Sequence, residues 1–486
     1  MKIAEKLLSD RSIILLTLGL VLICIAGLFT RNFYFYLIPP LLFLLVSCLM
    51  QPDLILFFIA FFVPISINPS DVYDSTLSLS LPTEPLLMVC VALFVFSLMS
   101  RLKADFSVLL HPIALLIYFY FAWNFVCSFT STEKVVSIKF MIAKIWFIVP
   151  AFFLGSYYFK DRALSIRFIA LFLFTLGIVS YYNFFHLAGF DFEDKPSQWT
   201  MQPFFKDHTI LGGILGMGIP LGFGMVRLTK NNLYFKLFWS VILIGMLICM
   251  LVTFSRAAWV SLVPALLLFL LFKFKVKYQT VIVLFGVLLI YGLININSII
   301  ATLEQNKVSS SDDLVENVES ISNISSDPSN LERINRWSCA IAMGKAKPLF
   351  GFGPGTYMFH YAPFQLSANR TVISTNFGDV GNAHSEYLGP LAEAGILGML
   401  IFIALLFMVF YFAFKVYYRA KEKQDRILIS SVSCALIAYF SHGFLNNFLD
   451  TDKAAVLFWA MISMLVCYDV MQNEQAKTED QKKLID

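Results

Sequence analysis

The stretch Gly381-Asn382-Ala383-His384-Ser385-Glu386-Tyr387-Leu388 sets a histidine at the mouth of an apolar run that continues through Gly395 and Gly398. An imidazole titrates near about 6.5, so a good share of it is neutral and able to accept a proton at physiological pH. A titratable ring at a membrane edge is poorly suited to packing and well suited to general-base work. Three cationic places accompany it. Arg256 follows Ser255 in a very short link between two apolar runs. Arg333 and Arg336 precede Trp337 in the only long polar segment, and Lys206, Asp207 and His208 close a shorter polar loop. A guanidinium presents forked donors that match phosphate oxygens and stays charged. Read blandly, Arg256 is a helix-end side chain snorkelling to the interface, and the others are solvated loop residues. Read chemically, they bind a phosphate.

Several other chemistries lack their motifs. The sequence has no Walker A loop, no metal-ligand cluster and no G-x-S-x-G elbow. Asp71 with Asp74, or Asp191 with Asp194, are too loosely spaced to predict a metal pair. Cys24, Cys48, Cys90, Cys127, Cys249, Cys339, Cys434 and Cys467 fall almost all within apolar runs, as small core residues do. Chemistry without metal or cofactor, reliant on arginines, is expected. His111, His186 and His442 lie in apolar runs and read as structural, and His360 has no motif around it.

These groups need elements to position them, and composition says which. Of 486 residues 58% are hydrophobic and only 14% charged, against about 25% charged in soluble domains. Apolar runs of about 17–25 residues recur, each long enough to span a bilayer core, and they do not alternate as barrel strands would. The expected fold is an all-α polytopic membrane protein with about 12–14 transmembrane helices. Candidate spans lie near 12–30, 33–50, 54–68, 81–100, 106–129, 140–158, 166–188, 209–226, 233–254, 257–272, 279–299, 386–413, 427–447 and 453–470. Pro39, Pro40 and Pro64 interrupt the second and third. The net charge of +4 sits in short loops and is no sign of nucleic-acid binding.

Alternate loops are basic (Arg101 and Lys103; Lys160, Arg162 and Arg167; Arg227 and Lys230; Lys273, Lys275 and Lys277; Lys415 to Arg426), which predicts cytoplasmic termini. Lys134 and Lys139 run against that trend. The predicted organisation is an N-terminal bundle over 1–299, a large external loop over 300–385, spans over 386–470 and a cytoplasmic tail over 471–486. Within the loop, 308–330 reads as flexible, and 331–346 as a helix whose apolar face is Leu331, Ile334, Trp337 and Ile341. A glycine-rich turn with Gly351 and Gly353 follows Pro348. Gly395 and Gly398 are expected to let the next helix pack closely on a neighbour.

Together the motifs resemble the O-antigen ligase and O-antigen polymerase superfamily. His384-Ser385, nine residues, then Gly395-Ile396-Leu397-Gly398 is similar to that family's His-Ser-x9-Gly-x-x-Gly pattern, with Met399 where Ser or Thr is common. Pro348-Leu349-Phe350-Gly351-Phe352-Gly353 resembles its P-L-x-G-x-G segment, and Arg333 with Trp337 its Arg-x-x-x-Trp pair. Ser255-Arg256 resembles a Ser-Arg-Gly with Ala257 for the glycine, and Asp207-His208 resembles a further family signal only loosely. The resemblance spans roughly residues 200–470.

It implies a GT-C-like glycosyltransferase at the periplasmic face of a bacterial inner membrane. The donor would be a glycan on undecaprenyl diphosphate and the acceptor lipid A–core oligosaccharide, with membrane lipids around and no cofactor. His384 would be the catalytic base; Arg256 and Arg333, then Arg336 and Lys206, would hold the diphosphate. A repeat-unit polymerase and a protein O-oligosaccharyltransferase share the layout. A flippase for the lipid-linked glycan is the alternative from another class.

Overall fold

A computed structural model of the protein describes residues 52–72, 78–99, 106–295, 328–366 and 381–485. The chain divides into two compact units, Met1–Ile59 and Ala60–Asp486. Of the first, only the beginning of helix α1 (Pro52–Phe62) lies among the described residues. The spans expected at 12–30 and 33–50, and most of the 308–330 stretch, lie outside them.

The second unit is helical. Its main elements are α2 (Thr83–Met99), α3 (Pro112–Thr130), α4 (Lys134–Ile148), α5 (Arg162–Ala188), α6 (His208–Leu228), α7 (Leu233–Val252) and α8 (Arg256–Lys273). There follow α9 (Tyr278–Ile294), α10 (Pro328–Ala346), α11 (Leu388–Arg419), α12 (Lys423–His442) and α13 (Asp452–Ile485). Eight helices among the described residues are long and apolar enough to cross a membrane. The protein is therefore an all-α polytopic membrane protein. Burial differs sharply between these helices: the apolar window of α13 is 94% buried, those of α3, α8 and α11 only 33%. Helix α13 is the central post, and α3, α8 and α11 turn a broad apolar face outward.

Helix α6 is built for close approach. Side chains added at Gly212, Gly213, Gly216 and Gly224 would run into Ala258 and Ser255, His442, Ser261 and Ser431 respectively. Small residues let helix backbones meet where lipid gives little hydrophobic drive. Three helix ends are thereby gathered: the starts of α6 and α8 and the end of α12. Asp207 caps α6, its Oδ1 accepting from the backbone of Thr209 at 2.8 Å and Ile210 at 3.0 Å.

Helix α11 differs from the sequence expectation. It is broken at Gly395, whose backbone adopts φ 74° and ψ −170°. The turn after Pro348 docks into the break. Phe352 N donates to Ala392 O (3.0 Å), Gly353 N to Glu393 O (2.9 Å) and Ile396 N to Pro348 O (2.9 Å). Trp123 Nε1 donates to Ala394 O at 2.9 Å, satisfying a carbonyl released there. A Cβ on Gly395 would strike the Leu349 carbonyl. Gly395 thus serves the break in the helix, and Gly398 closes against Ala394 and Pro390 of its own helix.

The buried face of α10 is also not the apolar one. Glu332, Asn335, Arg336, Cys339, Ala340 and Met343 are buried, while Ile341 is 40% exposed. The polar half of that stripe can be buried because its charges cancel: Arg336 Nε donates to Glu332 Oε1 at 2.6 Å. The lower half packs with Tyr357, Tyr361, Ala383 and Ala392 into a small core.

Candidate functional site

His384 sits on the loop 381–387 between that small core and α11. Its backbone is left-handed, with φ 47°, an uncommon state for a residue other than glycine. Two bonds hold it there. His384 N donates to Asn382 Oδ1 at 3.0 Å, and Trp337 Nε1 of α10 donates to His384 O at 3.2 Å. The imidazole is pushed down from its ordinary range to about 4, first by burial and then by the charges of Arg333 and Arg336. The ring is neutral at physiological pH and its site is electropositive.

The arginines occupy different settings. Arg333 is half-buried; its Nε donates to Leu445 O at 3.3 Å and its Nη1 to Asn330 Oδ1 at 3.4 Å. Arg256 is half-buried at the first position of α8. Arg256 and Arg333 both act electrostatically on His208, and Arg333 and Asp207 on His442. Buried His208 Nδ1 has no hydrogen-bond partner. Two guanidiniums, three histidines and an aspartate therefore share one polar end, formed by the helix termini that α6 brings together.

Arg336 stands apart from that use. It is 4% exposed, paired with Glu332, and stacked 4.1 Å over the Tyr361 ring. Gly381 lies against its guanidinium so closely that a Cβ there would collide with it. Lys206 points elsewhere: its side chain is 68% exposed and faces Asp71 at 3.9 Å. Gly351 and Gly353, with φ 65° and 121°, shape the turn that meets α11.

Sequence reasoning missed the turn 443–449 between α12 and α13. Glu386 Oε1 accepts from the Tyr439 hydroxyl (2.7 Å), Phe448 N (2.8 Å) and Leu449 N (2.9 Å). Glu386 N donates to Gly443 O at 2.8 Å. Lys144 holds the other side, donating to Leu449 O at 2.9 Å and Asp450 Oδ1 at 2.6 Å. A signal existed, because ionisable residues inside apolar runs are costly and point to function or structure; Lys144 and Lys453 are such residues. A cavity of about 220 Å³ lies behind the loop, bordered by Asn382, Ser385, Glu386, Glu393, Lys144 and Asp450. The His384 ring is not part of its lining. Among the described residues no group of three His, Cys, Asp or Glu is arranged to hold a metal ion.

This arrangement suits transfer from a phosphate-bearing donor: fixed cations beside a neutral ring that can accept a proton. No curated protein matched the chain. Residues 241–403, from α7 to just beyond the break in α11, match the family model described as O-antigen ligase. That segment contains Arg256, Arg333, Arg336, His384, Gly395 and Gly398, and over it the chain is similar to the O-antigen ligase family.

Proposed function

We propose that this protein is a glycosyltransferase that moves a glycan from undecaprenyl diphosphate to a hydroxyl of lipid A–core oligosaccharide at the outer face of the inner membrane. The observation that carries this reading is that Arg333 acts on His384 and, together with Arg256, on His208, at one polar end of the helix bundle. His384 takes the proton of the acceptor hydroxyl. The oxygen attacks the anomeric carbon, a new C–O bond forms with inversion, and the bond to the diphosphate breaks with its electron pair going to the diphosphate oxygen. Arg256 and Arg333 stabilise the charge that grows there, as positioned cations do for phosphate leaving groups. Arg336, held by Glu332, supplies field rather than contact. Lys206 is too far turned toward Asp71 to take first place.

The test is a deletion strain complemented with His384→Ala, from which surface polysaccharide is extracted. The expected result is bare lipid A–core. Single repeat units left on the core of the deletion strain would instead assign polymerisation of the same donor, and wild-type glycan with unglycosylated protein would assign protein transfer. Wild-type glycan on the core of the His384→Ala strain would overturn the base assignment. Purified full-length protein joining donor and acceptor in detergent, with chelator present, separates transfer from flipping, because a flippase makes no new bond.

A further inference from the structure

The cavity behind the 381–387 loop is too large and too polar to be a packing defect. Its volume is about 220 Å³, whereas a single water needs about 10–15 Å³ of such space. Asn382, Ala383, Ser385 and Glu386 form one wall, and the His384 ring is not part of it. Tyr120 of α3 and Lys144 of α4 supply another, and the turn before α13 adds Asn447 and Asp450. The Asp450 side chain is 45% exposed, which marks an open side.

Several groups on these walls keep bonding capacity that the fold does not use. Glu386 is 8% exposed, and its three side-chain hydrogen bonds all go to Oε1, so Oε2 has none among the described residues. Asn447 Oδ1 is buried with no partner among them. The Tyr120 hydroxyl makes no hydrogen bond to them either. An ammonium has three donors, and Lys144 spends two, on Leu449 O at 2.9 Å and Asp450 Oδ1 at 2.6 Å. Native proteins leave few buried polar groups unpaired. Here four of them border one space, and a ligand rich in hydroxyls completes them.

The chemistry of the walls narrows the ligand. Glu386, Glu393, Asp450 and Asn447 Oδ1 are set against the single cation of Lys144, so acceptors outnumber donors. A ligand here must donate several hydrogen bonds, as sugar hydroxyls do. Ile117, Phe402, Leu405 and Trp459 give apolar surface for the C–H face of a sugar ring. Apolar walls with a few convergent polar groups are the usual make-up of a small-molecule pocket. Three carboxyl groups oppose an acidic sugar. No group of three His, Cys, Asp or Glu among the described residues is arranged to hold a metal ion, which speaks against a bound cation. We propose that this cavity is a subsite for a neutral or amino sugar of the glycan substrate. Because the His384 ring lies outside the lining, the sugar held here is a neighbour of the reacting one. The inference rests on the reading that the protein handles glycans. Donor and acceptor both carry such sugars, and the experiment assigns one of them.

The experiment has two arms, both with full-length protein. The first is saturation-transfer NMR in lipid nanodiscs free of glycoside detergent, with methyl glucoside, glucosamine and glucuronic acid as probes. Methyl glucoside and glucosamine are expected to receive saturation, and glucuronic acid several-fold less. Leu116→Trp, which fills the cavity, is expected to abolish the signal. Tyr120→Phe, which removes only a free hydroxyl, is expected to weaken binding by about threefold to tenfold. His384→Ala is expected to bind as wild type does. No saturation of any probe, glucuronic acid bound as well as methyl glucoside, or a signal unchanged in Tyr120→Phe would each overturn the proposal. Tyr120→Phe decides the matter even where the Leu116→Trp protein fails to fold. The second arm measures transfer with purified lipid-linked donor and lipid A–core in detergent. Tyr120→Phe is expected to raise one KM with little change in kcat: the acceptor's KM assigns the sugar to the acceptor, the donor's KM to the donor. Neither KM moving would overturn the subsite. Probe binding by a wild-type protein that transfers no glycan would remove the proposed reaction and leave the sugar site standing.

Discussion

Trp337 and His384 are joined through the backbone of the histidine, the indole Nε1 donating to its carbonyl at 3.2 Å. The bond links α10, which also carries Arg333, to a loop residue held at φ 47°. A left-handed histidine costs about 1–3 kcal/mol and persists only where its surroundings fix it. Here the fixing groups are Trp337, the Asn382 side chain and the clamped turn beyond α12. The ring is thus positioned by its backbone, and the helix that supplies the arginine field supplies one of the restraints.

That field predicts an unusual pH dependence. Only the neutral ring accepts a proton, so the rate falls as pH drops through the His384 pKa. Burial, Arg333 and Arg336 hold that value at about 4 in the donor-free protein. A bound diphosphate cancels the arginine charge and raises it. The acidic limb of kcat/KM, which reports the free protein, is expected near 4, and the limb of kcat, which reports the bound complex, at higher pH. A kcat limb at or below that of kcat/KM would rule out diphosphate beside these arginines.

Arg333 and Arg336 should separate by readout. Arg336→Ala leaves Glu332 buried without its partner, a loss of about 3–5 kcal/mol. It is expected to lower Tm strongly, with partial recovery when Glu332→Ala is added. Arg333→Lys keeps a charge but loses the fork. It is expected to fold with a near wild-type Tm and to lose transfer activity by about tenfold or more. The reverse pattern would exchange the two roles.

The sequence made these groups visible to different degrees. Helices were legible from long apolar runs, and candidate residues from their chemistry: Arg256 in a very short link, Arg333 in the long polar segment and His384 at the mouth of an apolar run. The buried face of α10 was not legible, because Leu331, Ile334, Trp337 and Ile341 form its more apolar stripe. Glu332 and Arg336 neutralise each other across one helical turn, which makes the opposite face buriable. Glu386 was not legible. It acts through a turn whose partners, Tyr439, Phe448 and Leu449, lie more than fifty residues from it, and nothing local marks that pairing. Gly395 was seen as a glycine of packing, since a positive φ inside an apolar run leaves no trace beyond the glycine itself.

Glu386 gives a third test. Its Oε1 alone accepts three hydrogen bonds, so the clamp needs an acceptor at that position. Burial raises the carboxyl pKa above the usual range, which makes a neutral amide a fair replacement. Glu386→Gln is expected to keep the fold and most of the activity. Glu386→Ala leaves the Leu449 N–H and the Tyr439 hydroxyl proton unsatisfied, at about 1–3 kcal/mol each, and Phe448 N with only its 3.2 Å bond to the Tyr439 hydroxyl. Thermal unfolding in detergent checks both, and equal Tm values for the two variants would remove the clamp from the account.

The break in α11 is tested by adding one methyl group. Gly395 has φ 74° and ψ −170°, a region open to glycine and strained for alanine by about 1–3 kcal/mol. The Cβ would also strike the Leu349 carbonyl, which belongs to the turn that donates to Ala392 and Glu393. Relief requires that turn to withdraw, and α10 and the 381–387 loop share its core through Tyr357 and Ala392. Gly395→Ala is therefore expected to lower Tm by several degrees and to abolish transfer activity. Gly389→Ala, one helical segment earlier, is the control: its Cβ would meet only Ala383 at an ordinary 3.7 Å. Measured together, the two separate a backbone requirement from a general dislike of side chains at the start of this helix. A Gly395→Ala protein as stable and active as Gly389→Ala would mean that the chain can continue through this point as an unbroken helix.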